Sequence, residues 1–507
     1  MQTKVLIVGA GPTGLSLALW LTRLGIAVRI IDENAGPGET SRAFFVQART
    51  LEQYDQIGIA DAACSRGRKV TVMNAHRHGG KTVRVQFGDF GRGLSPFPFE
   101  LILLQDQHEK LLIDHLAEAG VTVERDTALI DLEDRGADVV TRLRLPSTAL
   151  EACTVAYVCG CDGLHSSVRE LVGTPFDGVS DEAIFYVADV EASGRFVDGE
   201  MHYLLATDGL LRIFPLTGGN RVRLIGLVPR SISQESMQIG FGEVADTIWR
   251  ESGLRPWAVE WFSTYRVHHR IAAAFRKGRT FLLGDAAHVW APAFSQGLNS
   301  GAGDAANLAW KLACVLKGRA APSLLDTYQS ERKSVSQRVG KLADTGFLLQ
   351  AGASAIRNYG RDALAALAPA LMRSRSFRRW VFMTVSQVGL GYRGGPLSVG
   401  RAGRLAGGDR LPWIEIEGGG DNFTLLRTLD WHVQVYGVAK EAMTSTCARL
   451  GIALHEFAWT TAARRAGFLR DALYLVRPDG YLAFVSPNQD APGFARFFSA
   501  ASWVAAS

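Results

Sequence analysis

The sequence has few prolines, no marked excess of either charge and no cysteine framework. Its 507 residues include 17 prolines against 54 glycines, and Lys plus Arg (55) exceed Asp plus Glu (50) by only 5. So small an excess does not indicate a nucleic-acid-binding surface. Six cysteines are scattered without a CxxC pair, which argues against a disulfide framework or a zinc site and favours a reducing cytoplasm. Hydrophobic residues make up 47%, as in ordinary globular proteins.

Long apolar runs are also missing. The uncharged stretch Val5–Leu21 is interrupted by three glycines and a proline, and it lacks the small-residue cleavage pattern of a signal peptide. No other segment reaches the ~18 uninterrupted apolar residues that a membrane helix needs. The sequence therefore predicts no membrane span and no secretion signal.

What the sequence does contain is a phosphate-binding pattern at its N-terminus. Residues 3–8 are mostly apolar and β-branched, which is typical of a buried parallel strand, and a glycine turn and a leucine-rich helical pattern follow. In such a unit the glycines allow a tight turn, the approach of a pyrophosphate and close helix packing, while an acid after the second strand binds ribose hydroxyls. The pattern predicts dinucleotide binding, by NAD or FAD, at Gly9, Gly11, Pro12, Thr13, Gly14, Asp32 and Glu33.

Two later motifs favour a flavin. One apolar run ends at Asp162 and Gly163, and another ends at Gly284 and Asp285, before a glycine-rich helix entrance and a helix expected near 302–316. Acids at strand ends suit the hydroxyls of a ribityl chain, and the N–H groups of a helix terminus suit the electron-rich edge of an isoalloxazine ring. Together the three motifs predict FAD.

In these motifs the chain resembles the class A flavoprotein monooxygenases, which are FAD-dependent aromatic hydroxylases of the para-hydroxybenzoate hydroxylase fold. The matching segments are GAGPTG at 9–14, CDGLHSSVR at 161–169, GDAAH at 284–288 and SQGLNSGAGDAANLAWKLA at 295–313. Within the family the chain looks most like the phenol hydroxylases and aromatic-polyketide hydroxylases, whose C-terminal domain ends in a strand motif similar to Leu475–Tyr481. The resemblance implies an α/β protein: a Rossmann-like FAD-binding domain, an inserted antiparallel β-sheet substrate domain and a C-terminal thioredoxin-like domain.

The resemblance implies further cofactor contacts. Arg42 and Gln105 match positions that the family places near FAD. The loop after GDAAH lacks the second proline and the Gly-Gly pair common in the family, but it keeps Pro292 and Gly297, which are the loop candidates for catalysis. The residues of this loop expected to contact the ring are Pro292, Gly297, Leu298 and Asn299.

The substrate pocket is less well defined by the sequence. Aromatic residues are plausible walls, although in a β-rich domain they are more often core. No catalytic base is assigned, because the sequence provides no geometry for the histidines, and no metal site is expected. The candidate walls are Tyr203, Phe214, Trp290 and Phe294, and the histidines considered are His202, His268, His269 and His288.

Four segments follow from this organisation. We expect the FAD-binding domain at 1–175, a β-rich substrate domain at 176–272, the rest of the FAD-binding domain with a helical segment at 273–395, and the thioredoxin-like domain at 396–507. With Cys447 as its only cysteine, the last domain has no thioredoxin activity and serves packing or dimerisation. The arginines between 357 and 379 are interpreted as solvated helix faces or an interface rather than a membrane or nucleic-acid site.

The family chemistry implies a monooxygenase that consumes O2 and NADPH or NADH and hydroxylates a phenolic or polycyclic, polyketide-like aromatic through a flavin C4a-hydroperoxide. Because only one strand–GxGxxG–helix unit is found, the nicotinamide is expected to bind transiently, without a fold of its own. The alternatives are Baeyer–Villiger insertion or epoxidation on the same fold and, from another class, a flavin-binding scaffold without turnover. The substrate, the choice between NADPH and NADH, and a monomer or homodimer stay open.

Overall fold

The N-terminal part of the chain alternates short strands and helices. We describe it from a computed structural model, which covers residues 3–38, 43–77, 82–206, 209–229, 232, 239–290, 296–351 and 371–500. Its strands are β1 (Val5–Val8), β2 (Val28–Ile31), β3 (Phe45–Val46), β4 (Arg68–Val70), β5 (Val72–Arg77), β6 (Val83–Gln86), β7 (Glu100–Ile102), β8 (Val123–Glu124), β9 (Ala128–Asp134), β10 (Val139–Arg144), β11 (Leu150–Val155) and β12 (Tyr157–Gly160). Its helices are α1 (Pro12–Arg23), α2 (Ala48–Gln56), α3 (Ala60–Arg66), α4 (Gln105–Glu118) and α5 (Ser167–Leu171).

The next part is rich in strands, as the short β-type runs between 183 and 228 predict. Two of the strands, β13 and β17, are long and pair along most of their length. The elements are β13 (Phe176–Ser193), β14 (Met201–Ala206), β15 (Gly209–Pro215), β16 (Arg221–Leu227), α6 (Phe241–Ser252), β17 (Arg255–Ala272), β18 (Arg276–Lys277), β19 (Thr280–Leu282) and β20 (His288–Val289).

These strands form two main sheets. The first has the order β18-β19-β12-β1-β2-β8, with β1 in its interior, buried at every position and paired in parallel with β2 and β12. The second has the order β20-β17-β13-β16-β15-β14-β5-β6 and is antiparallel except where β14 runs parallel to β5. Smaller sheets are formed by β3, β7 and β4 and by β9, β10 and β11. The FAD-binding segment thus contributes β5 and β6 to the sheet expected from 176–272.

The two faces of the eight-stranded sheet have different neighbours. On one face, aliphatic residues such as Ile184 and Leu224 pack in a core with Val244 and Ile248 of α6. On the other face, Met201, Phe214 and Ile225 pack with Phe44, Phe45 and Ile102, from the segments around β3 and β7. This second face therefore lies over the nucleotide-binding part of the molecule.

In the described part of the remaining chain, three long helices precede a second α/β unit. The helices are α7 (Gln296–Leu316), which begins earlier than the expected residue 302, α8 (Asp326–Ala351) and α9 (Arg375–Val385). The last elements are β21 (Val399–Ala402), β22 (Leu405–Ala406), β23 (His432–Tyr436), α10 (Glu441–Arg449), β24 (Ala453–Phe457), α11 (Thr461–Ala466), β25 (Leu473–Val476), β26 (Leu482–Ser486) and α12 (Ala491–Ala500).

The C-terminal unit has the topology of thioredoxin. From β23 to α12 the chain runs βαβαββα, and β23 pairs in parallel with β24 but antiparallel with β25, which in turn pairs antiparallel with β26. Strands β21 and β22 extend the sheet beyond β26. Among the described residues, no helix is long and apolar enough to span a bilayer.

A buried ionic network joins this unit to the long helices. Arg477, which follows β25, is fully buried, and its Nη1 donates to Glu331 Oε1 of α8 at 2.7 Å. Its Nη2 donates to Asp479 Oδ2 at 2.7 Å, and Lys311 Nζ of α7 donates to Glu331 Oε2 at 2.7 Å. Burial raises the pKa of Glu331, but Arg477 and Lys311 outweigh burial and hold that pKa at about 2. Every charge in the network is therefore compensated.

Removal of Arg477 should weaken the attachment of the C-terminal unit to the long helices and lower the stability of the protein. Arg477→Met leaves Glu331 and Asp479 buried without their main partner, which costs ~3–5 kcal/mol by analogy with other broken buried ion pairs. We expect a clear drop in the midpoint of urea unfolding. Arg401→Met, at an exposed position of β21, is the matched control. Equal midpoints for the two variants would show that the network does not stabilise the fold.

Candidate active site

The structure brings the three glycine motifs into direct contact. A Cβ on Gly9 would lie 2.5 Å from Cys161 O, and a Cβ on Gly284 would lie 2.5 Å from Thr13 Oγ1. Gly9 also has a φ of +98°, a conformation that side chains other than glycine rarely adopt. Gly9 is therefore required because it touches the backbone of the second motif, and Gly284 because it touches the Thr13 side chain of the first.

The opposite side of the first loop is open. Apart from its chain neighbours, no atom of the described residues lies within 4 Å of the position that a Cβ on Gly11 would occupy. Gly11 is the N-cap of α1 and has no side-chain cap, so the first N–H groups of α1 face a cleft with a volume of about 220 Å³. A helix N-terminus of this kind binds phosphate groups. Gly9, Asp32, Glu33, Asp162 and Gly163 line the same cleft.

The acid after β2 holds the loop as well as facing the cleft. Asp32 Oδ2 accepts a hydrogen bond from Ala10 N at 2.7 Å, and its Oδ1 accepts one from Asn34 N at 2.9 Å. Arg125 Nη1 lies 3.7 Å from Asp32 Oδ2. Asp32 is almost fully buried, whereas Glu33 is exposed at the cleft. Of the two candidates for the ribose, Asp32 is thus the one that is held rigidly.

The acid of the second motif has a local role. Asp162 Oδ1 accepts from Ser166 Oγ at 2.6 Å and its Oδ2 accepts from Val168 N at 3.0 Å, so the carboxylate binds the N-terminus of α5. Burial raises its pKa, while Ser166 and Val168 oppose that effect. The turn lines the cleft, but we expect its backbone, rather than the Asp162 carboxylate, to contact a cofactor.

The acid of the third motif stands at the entrance of α7. A Cβ on Gly297 would lie 3.9 Å from Asp285 Oδ1. Asp285 is exposed while its neighbours Gly284 and Ala286 are buried. Desolvation by the surrounding protein raises the pKa of Asp285, and His288 opposes this. The carboxylate is thus available to a ligand that also meets the first turn of α7.

A buried carboxylate that the sequence reasoning missed supports this loop. Asp304 of α7 accepts hydrogen bonds from Gly284 N at 3.0 Å, His288 Nε2 at 2.8 Å and Arg332 Nε at 2.6 Å. Burial opposes its ionisation, yet Arg332 and His288 keep its pKa below the ordinary value. His288 is thereby committed to shaping the loop and is not a candidate base.

Several side chains that the sequence predicts as cofactor contacts bind other protein groups instead. The Asn299 carboxamide accepts from Gln47 N at 2.8 Å and from Thr50 Oγ1 at 2.7 Å, so it fixes α2, and only its backbone remains for a ring contact. Gln105 Nε2 donates to Glu109 Oε1 at 2.9 Å. Leu298 is half-buried in the first turn of α7. Arg42, Pro292 and Phe294 lie outside the described residues.

Residues 2–343 match the family model described as FAD binding domain. The chain belongs to this family. A 6-methylpretetramide 4-monooxygenase from Streptomyces rimosus is 36% identical over 413 residues, 80% of this chain and 72% of that protein. A flavin-dependent monooxygenase from Mycobacteroides abscessus is 30% identical over 504 residues, 96% of this chain and 97% of that protein. A solved aromatic hydroxylase from angucycline biosynthesis has a TM-score of 0.75 at 28% identity, with 96% of each chain covered.

These findings confirm the predicted family, the fold class, FAD as cofactor and a flavin-dependent monooxygenase. The geometry of the cleft fits the nucleotide half of the cofactor, and Asp285 lies outside the residues that line it. The uncapped N-terminus of α1 and the open approach at Gly11 suit the pyrophosphate of FAD, and the exposed Asp285 suits ribityl hydroxyls.

Of the three aromatic candidates that the structure describes, Phe214 is packed in the core and the other two are half-buried. Phe214 is buried, with ring centroids 4.9 Å from Phe44 and 5.4 Å from Phe45. Trp290 packs against α8, where its Nε1 donates to Ser336 Oγ at 3.1 Å. Phe214 is therefore unsuited as a substrate wall, because neighbouring side chains already cover its ring, whereas the half-buried Trp290 stays a candidate. Tyr203, paired across the strands with Arg212, is likewise half-buried and stays a candidate.

The remaining histidines are also engaged. His202 Nε2 lies 2.8 Å from Asp198 Oδ1, and its Nδ1 lies 3.0 Å from His76 Nε2. His268 Nδ1 lies 2.8 Å from Ser180 Oγ near the surface. These contacts involve the sheet itself and indicate structural roles.

An acid absent from the sequence prediction lies between the sheet and the entrance of α7. Glu100 is on the same face of β7 as Ile102, the face that packs against the eight-stranded sheet. Burial raises the pKa of Glu100 to about 7, although a hydrogen bond with the Gln47 side chain opposes this. Its charge also acts on Tyr203, as does that of Arg212. Glu100 can therefore hold or release a proton near neutral pH.

The titration of Glu100 predicts a pH-dependent stability. The folded pKa of about 7 exceeds the ordinary value of 4.5, so the folded state keeps a proton that the unfolded chain releases. This contribution is complete below pH ~4.5 and is lost as the pH rises through ~7. The side chain of Glu100→Gln stays neutral at all pH values. The Tm of this variant should therefore rise relative to the Tm of the wild type as the pH increases from ~5 to ~8.

Thermal melts at a series of pH values test this expectation. Glu118→Gln, at an exposed position at the end of α4, is the control and should follow the wild type throughout. A constant difference in Tm between Glu100→Gln and the wild type would mean that Glu100 titrates normally.

Proposed function

We propose that the protein hydroxylates a phenolic ring of a polycyclic, polyketide-like aromatic with FAD, O2 and NADPH or NADH. The observation that supports this most is the contact of three FAD-type motifs beneath a sheet whose facing side is mainly apolar. The names of the relatives point in the same direction, since they include a 6-methylpretetramide 4-monooxygenase and an aromatic hydroxylase from angucycline biosynthesis.

Bound FAD, reduced by the dinucleotide, would supply the oxygen-transfer chemistry with O2. The chain's own residues would hold and shield it. The N-terminus of α1 at Gly11 would bind the pyrophosphate, and Asp285 with the first turn of α7 would hold the ribityl chain near the ring. The apolar side chains Met201, Phe214 and Ile225 would exclude water from that region.

Glu100 would accept the hydroxyl proton of the phenolic substrate. A phenol is a better nucleophile after its hydroxyl proton has moved to a base, and a carboxylate with a pKa near 7 is matched to that task at neutral pH. The proton would pass from the substrate oxygen to a Glu100 carboxylate oxygen and return to solvent after product release. Glu100 lies where β7, the start of α2 and the eight-stranded sheet meet. We expect this region to form one side of the pocket for a substrate above FAD.

We also propose the division into segments 1–175, 176–272, 273–395 and 396–507, with β5 and β6 assigned to the substrate domain because they pair in its sheet. A cytoplasmic location is consistent with six free cysteines.

Replacement of Asp285 tests the cofactor site. Asp285→Ala removes the exposed acid beside Gly297, so we expect the variant to purify colourless or weakly yellow. The ratio of flavin to protein absorbance measures occupancy. Asp61→Ala, at an exposed position of α3, should keep the occupancy of the wild type. Full occupancy in Asp285→Ala would remove Asp285 from the site.

A substrate screen separates the proposed reaction from its alternatives. Monocyclic phenols and polycyclic polyketides are tested for stimulated NAD(P)H oxidation, and the products are analysed by mass and by nuclear magnetic resonance. Addition of one oxygen with the ring intact supports hydroxylation. Ring expansion to a lactone supports Baeyer–Villiger insertion, an epoxide supports epoxidation, and oxidation that no aromatic accelerates supports a scaffold role.

A further inference from the structure

Arginines from the helical and C-terminal segments converge on one cavity. The arginine trough, as we name it, lies between α9 and the C-terminal unit and has a volume of about 520 Å³. Within the described residues, the only acid that lines it is Asp409. The arginines that define the trough are Arg338, Arg379, Arg393, Arg404, Arg410 and Arg465.

Half of these arginines already have partners. Arg393 Nη2 lies 2.7 Å from Asp409 Oδ2, Arg410 Nε lies 2.8 Å from Glu52 Oε2, and Arg338 donates to the Gly391 carbonyl. These contacts hold the walls in place. They also pair the nearby acids Asp409 and Glu52 with Arg393 and Arg410.

The other half are uncompensated. Arg379, Arg404 and Arg465 form no ion pair with any acid among the described residues. Arg379 is half-buried on α9, and both burial and neighbouring Arg375 lower its pKa, which is the expected effect of an unpaired cation beside another. Three cations without acids on one cavity favour an anionic ligand.

The positive surface continues along α9. Arg379 also lines an adjoining cavity of about 410 Å³ together with Arg92, Arg375 and Arg378, where one acid, Asp89, pairs with Arg92. The trough itself has an apolar wall that includes Leu390 and the half-buried Trp413. A ligand that carries several phosphates and a flat aromatic ring would match both the charge and this wall.

The trough ends next to the helix that begins at the flavin loop. Gln296, the first residue of α7, donates from Nε2 to Val385 O at 3.0 Å, and Gln387 Nε2 donates to Gln296 Oε1 at 2.7 Å. The residues directly after Gln387, from Val388 to Gly391, line the trough. A ligand in the trough would therefore lie beside the segment that positions Gly297.

We propose that the arginine trough binds the phosphate groups of the reduced nicotinamide dinucleotide, and that Arg379, Arg404 and Arg465 favour NADPH over NADH through its 2′-phosphate. This inference rests on the proposed function, because it assumes a dinucleotide reductant. Guanidinium groups bind phosphate oxygens through paired hydrogen bonds, and a phosphomonoester brings up to two negative charges that NADH lacks. The C-terminal unit supplies Arg404 and Arg465, so it would take part in reductant binding without any redox chemistry of its own.

Charge reversal of two exposed arginines tests the proposal. In the holoenzyme, Arg404→Glu/Arg465→Glu should raise the KM for NADPH at least about tenfold and the KM for NADH less, with flavin occupancy unchanged. Arg401→Glu/Arg464→Glu, exposed neighbours on the same two segments that do not line the trough, is the matched control and should leave both KM values unchanged.

A binding measurement keeps the test independent of turnover. Adenosine 2′,5′-bisphosphate is titrated into the wild-type holoenzyme and both double variants by calorimetry, with inorganic phosphate as a second titrant. We expect binding to the wild type and the control, and a loss of at least about tenfold in Arg404→Glu/Arg465→Glu.

The outcomes separate the two proposals. If no aromatic stimulates NAD(P)H oxidation while the bisphosphate binds in the trough, the proposed function fails and the binding site stands. Equal bisphosphate affinity in both double variants would overturn the site. Equal increases in KM for NADPH and NADH would overturn the role of the 2′-phosphate, and binding of phosphate as tight as that of the bisphosphate would overturn a nucleotide site.

Discussion

Asp304 accepts hydrogen bonds from the third glycine motif, from His288 and from Arg332, and it does so at full burial. Its helix, α7, has 16 buried residues among its 21, so nearly every polar group on it must find a partner inside the protein. Asn299 finds one in α2 and Lys311 finds one in α8. The requirement to satisfy buried polar groups thus sets the position of the FAD loops relative to the rest of the fold.

The need to pair buried charges also links the C-terminal unit to α8 and α2. Arg477 reaches Glu331, which is also the partner of Lys311 on α7, and Arg410 reaches Glu52 on α2. The thioredoxin-like unit has no CxxC pair, and these ion pairs hold it to the long helices together with apolar contacts such as Trp310 with Trp431. Held in this way, it forms one wall of the arginine trough and brings Arg404 and Arg465 opposite Arg379.

The glycine motifs were predictable because their constraint is local and steric: a tight turn or a backbone contact admits no Cβ, and this shows in the residue type. Roles of side chains were less predictable. Asp162 has the motif expected of a ribose or ribityl contact but uses its carboxylate on α5, and Asn299 uses its amide on α2. Phe214 is covered by Phe44, and Trp290 is hydrogen-bonded to Ser336, and both partners are distant in sequence. A hydrogen bond or a ring contact depends on what another segment brings near, which a linear pattern does not record.

The sequence by itself determined the order of strand, glycine turn and helix, the family and its cofactor, since these follow from residue types at short spacing. Only the tertiary structure decided that Asp304 is the buried support of the loop, that burial raises the pKa of Glu100 to about 7, and that Arg379, interpreted from the sequence as part of a solvated face, lines one cavity with Arg404 and Arg465. Burial and the summed effect of neighbouring charges are properties of the packed molecule, and they arise only when segments distant in the chain share one environment.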